Sequence, residues 1–170
     1  MRTIESALAV IRNDGRYLLY WDDDWDCWLL PSMTVHALHD VDDCLRQLAC
    51  AYWLPPRLFD VTGSLMVESR KPCPEHDDAI RHYVYTLGIY DIDQDADYPL
   101  ESVHTHYLID IEDWQYDRDF YNVAHLEFDI DGRTCTWWTL DEMHSDDRMR
   151  QINGDLLTTL ELIETGLLPM

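Results

Sequence analysis

Lysine is almost missing from this chain: Lys71 is the only one in 170 residues. The 12 basic residues face 34 acidic ones, for a formal net charge of -22. A surface of that sign repels phosphodiester backbones and anionic lipid, which excludes nucleic acid and membrane surfaces as partners and speeds association with a basic protein. The acids are spread along the whole chain rather than gathered in a tail, so a solubilising composition typical of an acidic proteome is the plainer account. No apolar run is long enough to span a bilayer. The opening MRTIESALAVIRND turns polar without a small-residue cleavage site, so neither an anchor nor a signal peptide is read. No CxxC pair occurs, and the five cysteines (Cys27, Cys44, Cys50, Cys73, Cys135) are odd in number and widely spaced. That excludes a disulfide framework, makes zinc a poor candidate, and predicts reduced, mostly buried thiols in a cytoplasmic protein. No repeat, low-complexity tract or Gly/Ser linker divides the sequence, which predicts one domain over residues 1–170.

What is present is a regular order of elements. ESALAVIR alternates small and β-branched residues, and NDG turns it into RYLLYW, a hairpin signal. The acidic loop WDDDWD leads to a third strand, CWLLP. Asp40 is placed to cap a helix, with Asp43 standing where a capping box keeps glutamate. Val41, Cys44, Leu45, Leu48, Ala51 and Tyr52 form its apolar face, and Pro55 and Pro56 stop it, which predicts a helix over about 41–54. LFDVTGSLMVES and AIRHYVYTLGIYDI read as two long strands joined by the turn-rich RKPCPEHDD. AHLEFDIDGRTCTWWTL reads as a hairpin about Asp131-Gly132. Met149, Ile152, Leu156, Leu160 and Ile163 predict a terminal helix over about 146–165, ended by Gly166. Strands on both sides of one helix, plus a last helix, make an α+β or α/β/α layered domain.

AVIRNDGRYLLYW with WLLP, then WLLPSMTVHALHDVDDCLRQLACAYWLPP, then WWTLDEM before a last helix, resembles the Nudix hydrolase family. The likeness covers most of residues 4–165, with an acidic segment of about 91–125 as its least matched part. It implies a Nudix-like α/β/α sandwich with a mixed β-sheet. The family's box is a glycine, five residues, a glutamate, seven residues, then Arg-Glu-aliphatic-x-Glu-Glu-x-Gly-aliphatic. Aligned without gaps, Arg46 keeps the arginine, and Leu48 and Leu54 keep the aliphatic positions. The other positions depart from the pattern: Ser32, Leu38, Gln47, Cys50, Ala51 and Trp53 replace glycine, glutamate, glutamate, the paired glutamates and glycine. Family members bind magnesium or manganese through those glutamates to cleave a diphosphate. With the carboxylates gone, the resemblance implies no metal cofactor and no box catalysis. Cys50 and Ala51 read as a helix face made more core-like, with Cys50 a buried and inert thiol rather than a nucleophile.

Relocated metal ligands are the alternative. Asp40, Asp42 and Asp43, with His36 and His39 beside them, lie near the family's metal site, although carboxylates at a helix start are more simply caps. Asp22, Asp23, Asp24 and Asp26 form a second acidic group, more simply solvated. Asp91, Asp93, Asp95 and Asp97 resemble a calcium loop but lack its glycine and closing glutamate. His104 and His106, with Glu112 or Asp113, suit a transition metal but are more simply exposed polar residues. Among the seven tryptophans, Trp21 and Trp25 flank the acidic loop and Trp53 sits in the box, so these three and Arg46 are the ligand-contact candidates.

The sequence therefore reads as a Nudix-fold protein without the metal-binding glutamates, binding a nucleotide, another small ligand or a protein. One alternative is a nucleoside-diphosphate-type hydrolase with magnesium or manganese on relocated acids. The other is an acidic inhibitor-like protein that covers a basic partner. The resemblance also makes a homodimer possible, as in many members of the family.

Overall fold

In strand β1 (Thr3–Asn13), apolar residues stand on both faces: Ala7, Ala9 and Ile11 point one way, Leu8 and Val10 the other, and all are buried. A strand covered on both faces belongs at the centre of a layered domain. The computed structural model describes residues 3–13, 15–36, 40–52, 65–73, 76–91 and 127–167. Strand β2 (Arg16–Asp22) returns antiparallel to β1, with Gly15 at φ 76° in the connection. Strand β3 (Cys27–Leu29) folds back on β2. Strand β4 (Ser32–Thr34), not legible in the sequence, pairs with β1 at Ser6, Ala7 and Leu8.

Strands β5 (Leu65–Cys73) and β6 (His76–Asp91) are antiparallel. They reach further into RKPCPEHDD than the sequence predicts, because their pairing continues to Cys73↔His76 across an irregularity at Pro72/Cys73. β6 then runs parallel to β1, from Thr3↔His82 to Arg12↔Asp91. At the end of that pair the Arg12 guanidinium grips Asp91 with two bonds, Nε to Oδ1 at 2.5 Å and Nη2 to Oδ2 at 2.8 Å. Strands β7 (Phe128–Ile130) and β8 (Arg133–Thr139) form the expected hairpin, with Asp131 at φ 49° and Gly132 at φ 85°. The sheet order is β5-β6-β1-β2-β8-β7, with β3 and β4 beside it.

Helices cover both faces of this mixed sheet, giving an α+β fold with α/β/α layers. Helix α1 (Val41–Ala51) lays Cys44, Leu45, Leu48 and Ala49 on Ala7, Ala9, Ile11, Leu18, Cys135 and Trp137. Its cap is Asp40, whose Oδ1 accepts the Asp43 N–H at 2.7 Å. The helix ends at Ala51, short of the expected 54, as Tyr52 leaves helical geometry. On the other face, Thr139 opens helix α2 (Leu140–Ser145) with a full capping box on Glu142. Asp146 ends α2 and caps helix α3 (Asp147–Glu164), accepting the Met149 N–H at 2.9 Å. α3 seals Leu8, Val10, Tyr17 and Leu19 beneath Met149, Ile152, Leu156, Leu157 and Leu160. At Asn153 (φ -123°, ψ 27°) its backbone leaves the helical region and the helix kinks. The segment expected as an insertion lies, apart from Asp91, outside the described residues.

Candidate functional site

The kink of α3 overhangs a cavity of about 330 Å³ against the sheet. β1 supplies Ile4, Ser6 and Leu8, and the parallel register sets Tyr83 beside Ile4 and Tyr85 beside Ser6. Residues two apart on a strand share a face, so the two tyrosine rings stack, 5.8 Å between centres and 8° between planes. Trp25 meets Tyr83 edge-on at 6.2 Å and 66°. Tyr20, Asp22 and Asp24 close the side formed by β2 and its turn, Ser32 and Thr34 line the β4 side, and Asn153 comes from the helix above.

The turn that carries the acids is built by Asp22. Its Oδ1 accepts the backbone N–H groups of Asp24 (2.9 Å) and Trp25 (3.1 Å), and its Oδ2 accepts the Tyr20 hydroxyl at 3.1 Å. Burial, then the Asp22 charge, pushes the Tyr20 hydroxyl up, and burial does the same to Tyr85. Both phenols are therefore neutral at physiological pH. Among the described residues, no lysine, arginine or histidine lines the cavity.

Of the ligand-contact candidates, Trp25 stands in this wall and Trp21 stands outside it. The Trp21 ring lies edge-on to Trp28 at 5.4 Å, with Nε1 donating to Asp23 at 3.0 Å. Arg46 lies on the exposed face of α1, paired with Asp43 at 3.2 Å. Trp53 lies outside the described residues. Among the box positions, Ser32 lines the cavity beside Tyr20, and Leu38 is outside the described residues. Gln47 and Cys50 point to solvent, and Ala51 is half-buried. The expectation of a buried Cys50 is thus corrected. Its thiol is exposed, because at about 100° per residue position 50 falls opposite the inward seam of Cys44, Leu45 and Leu48.

Asp40 is engaged as a cap and Asp43 in its ion pair. Asp42 borders a shallow hollow with Glu5, Val41, Met66, Val84 and Thr86. His36 is exposed. Asp91 is held by Arg12, while His39, Asp93, Asp95, Asp97, His104, His106, Glu112 and Asp113 are outside the described residues. Sequence reasoning missed Tyr20, Tyr83, Tyr85, Asn153 and Arg133. The alternation in YVYTL carries a signal for the tyrosine pair, and a lone amide on the apolar stripe of α3 carries one for Asn153; Arg133 has none.

Three solved structures share this fold. A C. elegans Ap4A hydrolase in a binary complex matches with a TM-score of 0.54 at 11% identity, over 96% of this chain and 98% of that one. A Nudix hydrolase from M. smegmatis, RenU, matches at 0.50 and 13% identity, over 98% and 88%. A Francisella tularensis bifunctional NMN adenylyltransferase/ADP ribose pyrophosphatase, with AMP and manganese, matches at 0.53 and 10% identity. That match covers 96% of this chain but only 42% of the bifunctional one. The fold is the Nudix fold. No family model and no curated protein sequence matches the chain.

The divalent cation associated with the Nudix fold does not fit the residues at the box. Gln47 has a neutral amide, Cys50 a thiol and Ala51 no ligand atom in its side chain. Arg133 adds a fixed positive charge at that end of α1. Its Nη1 donates to the carbonyls of Ala51 and Ile130, each at 3.4 Å, and the guanidinium lies 5.1 Å from the centre of the Tyr52 ring. A second cation there meets repulsion where it needs carboxylates. Among the described residues, no three His, Cys, Asp or Glu side chains group closely enough to hold a metal ion. Nor is any described helix long and apolar enough to cross a membrane.

Proposed function

We propose that this Nudix-fold chain is a binding module without diphosphate hydrolysis, and that a nucleotide-sized or smaller ligand occupies the cavity under the α3 kink. The observation that carries the reading is that cavity: about 330 Å³ of space walled by stacked and edge-on rings. Its lining mixes these rings and aliphatic side chains with Ser6, Asp22, Ser32 and Asn153, and clefts of about this size are where small molecules bind. The exposed face of the box helix, with Arg46, Gln47 and Cys50, gives the chemistry nothing to work with.

The test follows the activities named for the structural neighbours. Ap4A and ADP-ribose are incubated with the protein and magnesium or manganese, and phosphate-bond cleavage is followed. No turnover above the uncatalysed background is expected. Separately, ligands are screened by quenching of tryptophan fluorescence, and Trp25→Leu is expected to weaken any hit at least tenfold. Metal-dependent cleavage lost in the combined Asp40→Asn, Asp42→Asn, Asp43→Asn variant would overturn the reading in favour of relocated ligands.

A further inference from the structure

The cavity is one-sided in its chemistry. Its fixed charges are Asp22 and Asp24, and among the described residues no basic side chain lines it. Arg148 is close in the fold but spends its guanidinium outside the lining. Nε and Nη2 both donate to the Trp25 carbonyl, at 3.2 and 2.8 Å. A phosphate or carboxylate entering the cavity meets two like charges and, among the described residues, no basic side chain in the lining to bond to.

A cation meets the opposite. The π-faces of Trp25, Tyr83, Tyr85 and Tyr20 carry the negative end of the ring quadrupole, and three of those rings form a continuous wall through the contacts at 6.2 and 5.8 Å. Asp22 is preorganised beside it, held by the Tyr20 hydroxyl and two backbone N–H groups, so its charge needs no reordering when a ligand arrives. On the floor, Ser6 is only 6% exposed and lines the cavity. A hydroxyl in that position adds a polar contact to the lining.

Resting on the binding-module reading, we propose that the cavity selects a small organic cation: an ammonium or guanidinium group on a short apolar stem. The stem lies along Leu8, Leu29 and Leu156, and the charged head stands among the rings and beside Asp22. A cation of that size fits within the volume of about 330 Å³. Carboxylates combined with aromatic faces distinguish such a head from a neutral isostere, which forfeits both attractions.

The experiment is a calorimetric titration of the full chain with agmatine, cadaverine and tetramethylammonium, with AMP and adenosine as comparison ligands. At least one of the three cations is expected to bind saturably, more tightly than AMP by a factor of ten or more. Asp22→Asn is expected to weaken it at least tenfold. Trp25→Leu, a change at a half-buried residue packed on the edge of the core, is expected to weaken it too, while Asp147→Asn, outside the lining and paired with Arg150, leaves it unchanged. Circular dichroism and the melting midpoint establish that each variant is folded. If none of the three cations binds, or if AMP or adenosine binds better and is indifferent to Asp22→Asn, the cation assignment is overturned. The binding-module reading then stands on the nucleotide result. Metal-dependent hydrolysis would instead overturn both.

Discussion

Cys135 and Cys50 carry the same thiol into opposite surroundings. Cys135 is fully buried on β8, and burial pushes it up to about 12 from an ordinary value of 9.0. Cys50 is exposed on α1. A thiol reagent at about pH 8 should therefore modify Cys50 in the native protein and reach Cys135 only on unfolding; mass spectrometry of the labelled peptides decides it. The same burial has a thermodynamic sign. A group whose folded pKa is raised binds its proton more tightly in the native state, so its contribution is complete below the unfolded value and lost as pH rises toward the folded one. For Cys135 the window runs from 9.0 to about 12, and Tyr20, Tyr52 and Tyr85, also raised by burial, act in the same direction from about 10 upward. The melting midpoint is expected to fall steadily from about pH 9, and a flat profile to pH 11 would contradict this burial.

At the scale of elements, α1 depends on one capping bond, from the Asp43 N–H to Asp40 at 2.7 Å. Asp40→Ala is expected to cost about 1 kcal/mol, seen as a fall of roughly 2–4 °C in the melting midpoint for a chain of this size. Elements with such local signatures were legible in the sequence: the Asp40 cap, the Asp131-Gly132 turn and the apolar stripe of α3 each lie within a few residues of what they control. Three features were not. β4 is three residues long and exists because β1 offers Ser6, Ala7 and Leu8 as partners. α2 is a helix of six residues, too short to carry a periodic apolar stripe. The cavity needs Tyr83 and Tyr85 beside Ile4 and Ser6, a juxtaposition set by parallel pairing between distant segments. Cys50 was misjudged for a related reason: apolar neighbours in sequence are not neighbours on a helix face.

For the whole molecule the governing quantity is the net charge of -22. Like charges spread over one compact surface oppose its compactness, and salt screens them. Raising sodium chloride from about 10 mM to about 500 mM is expected to raise the melting midpoint by several degrees. A fall would mean that local ion pairs such as Arg12–Asp91 and Arg46–Asp43 outweigh the general repulsion. The parallel partnership of β1 with β6 has a consequence in time. Arg12 and Asp91 are 79 positions apart, so β1 keeps one edge open while all the intervening chain is made. At translation rates of roughly 5–20 residues per second that interval is on the order of ten seconds. During it, a nascent segment rich in Ala, Val, Ile and Leu presents unpaired backbone to the cell. Its dependence on chaperones should fall sharply once residue 91 has cleared the ribosome.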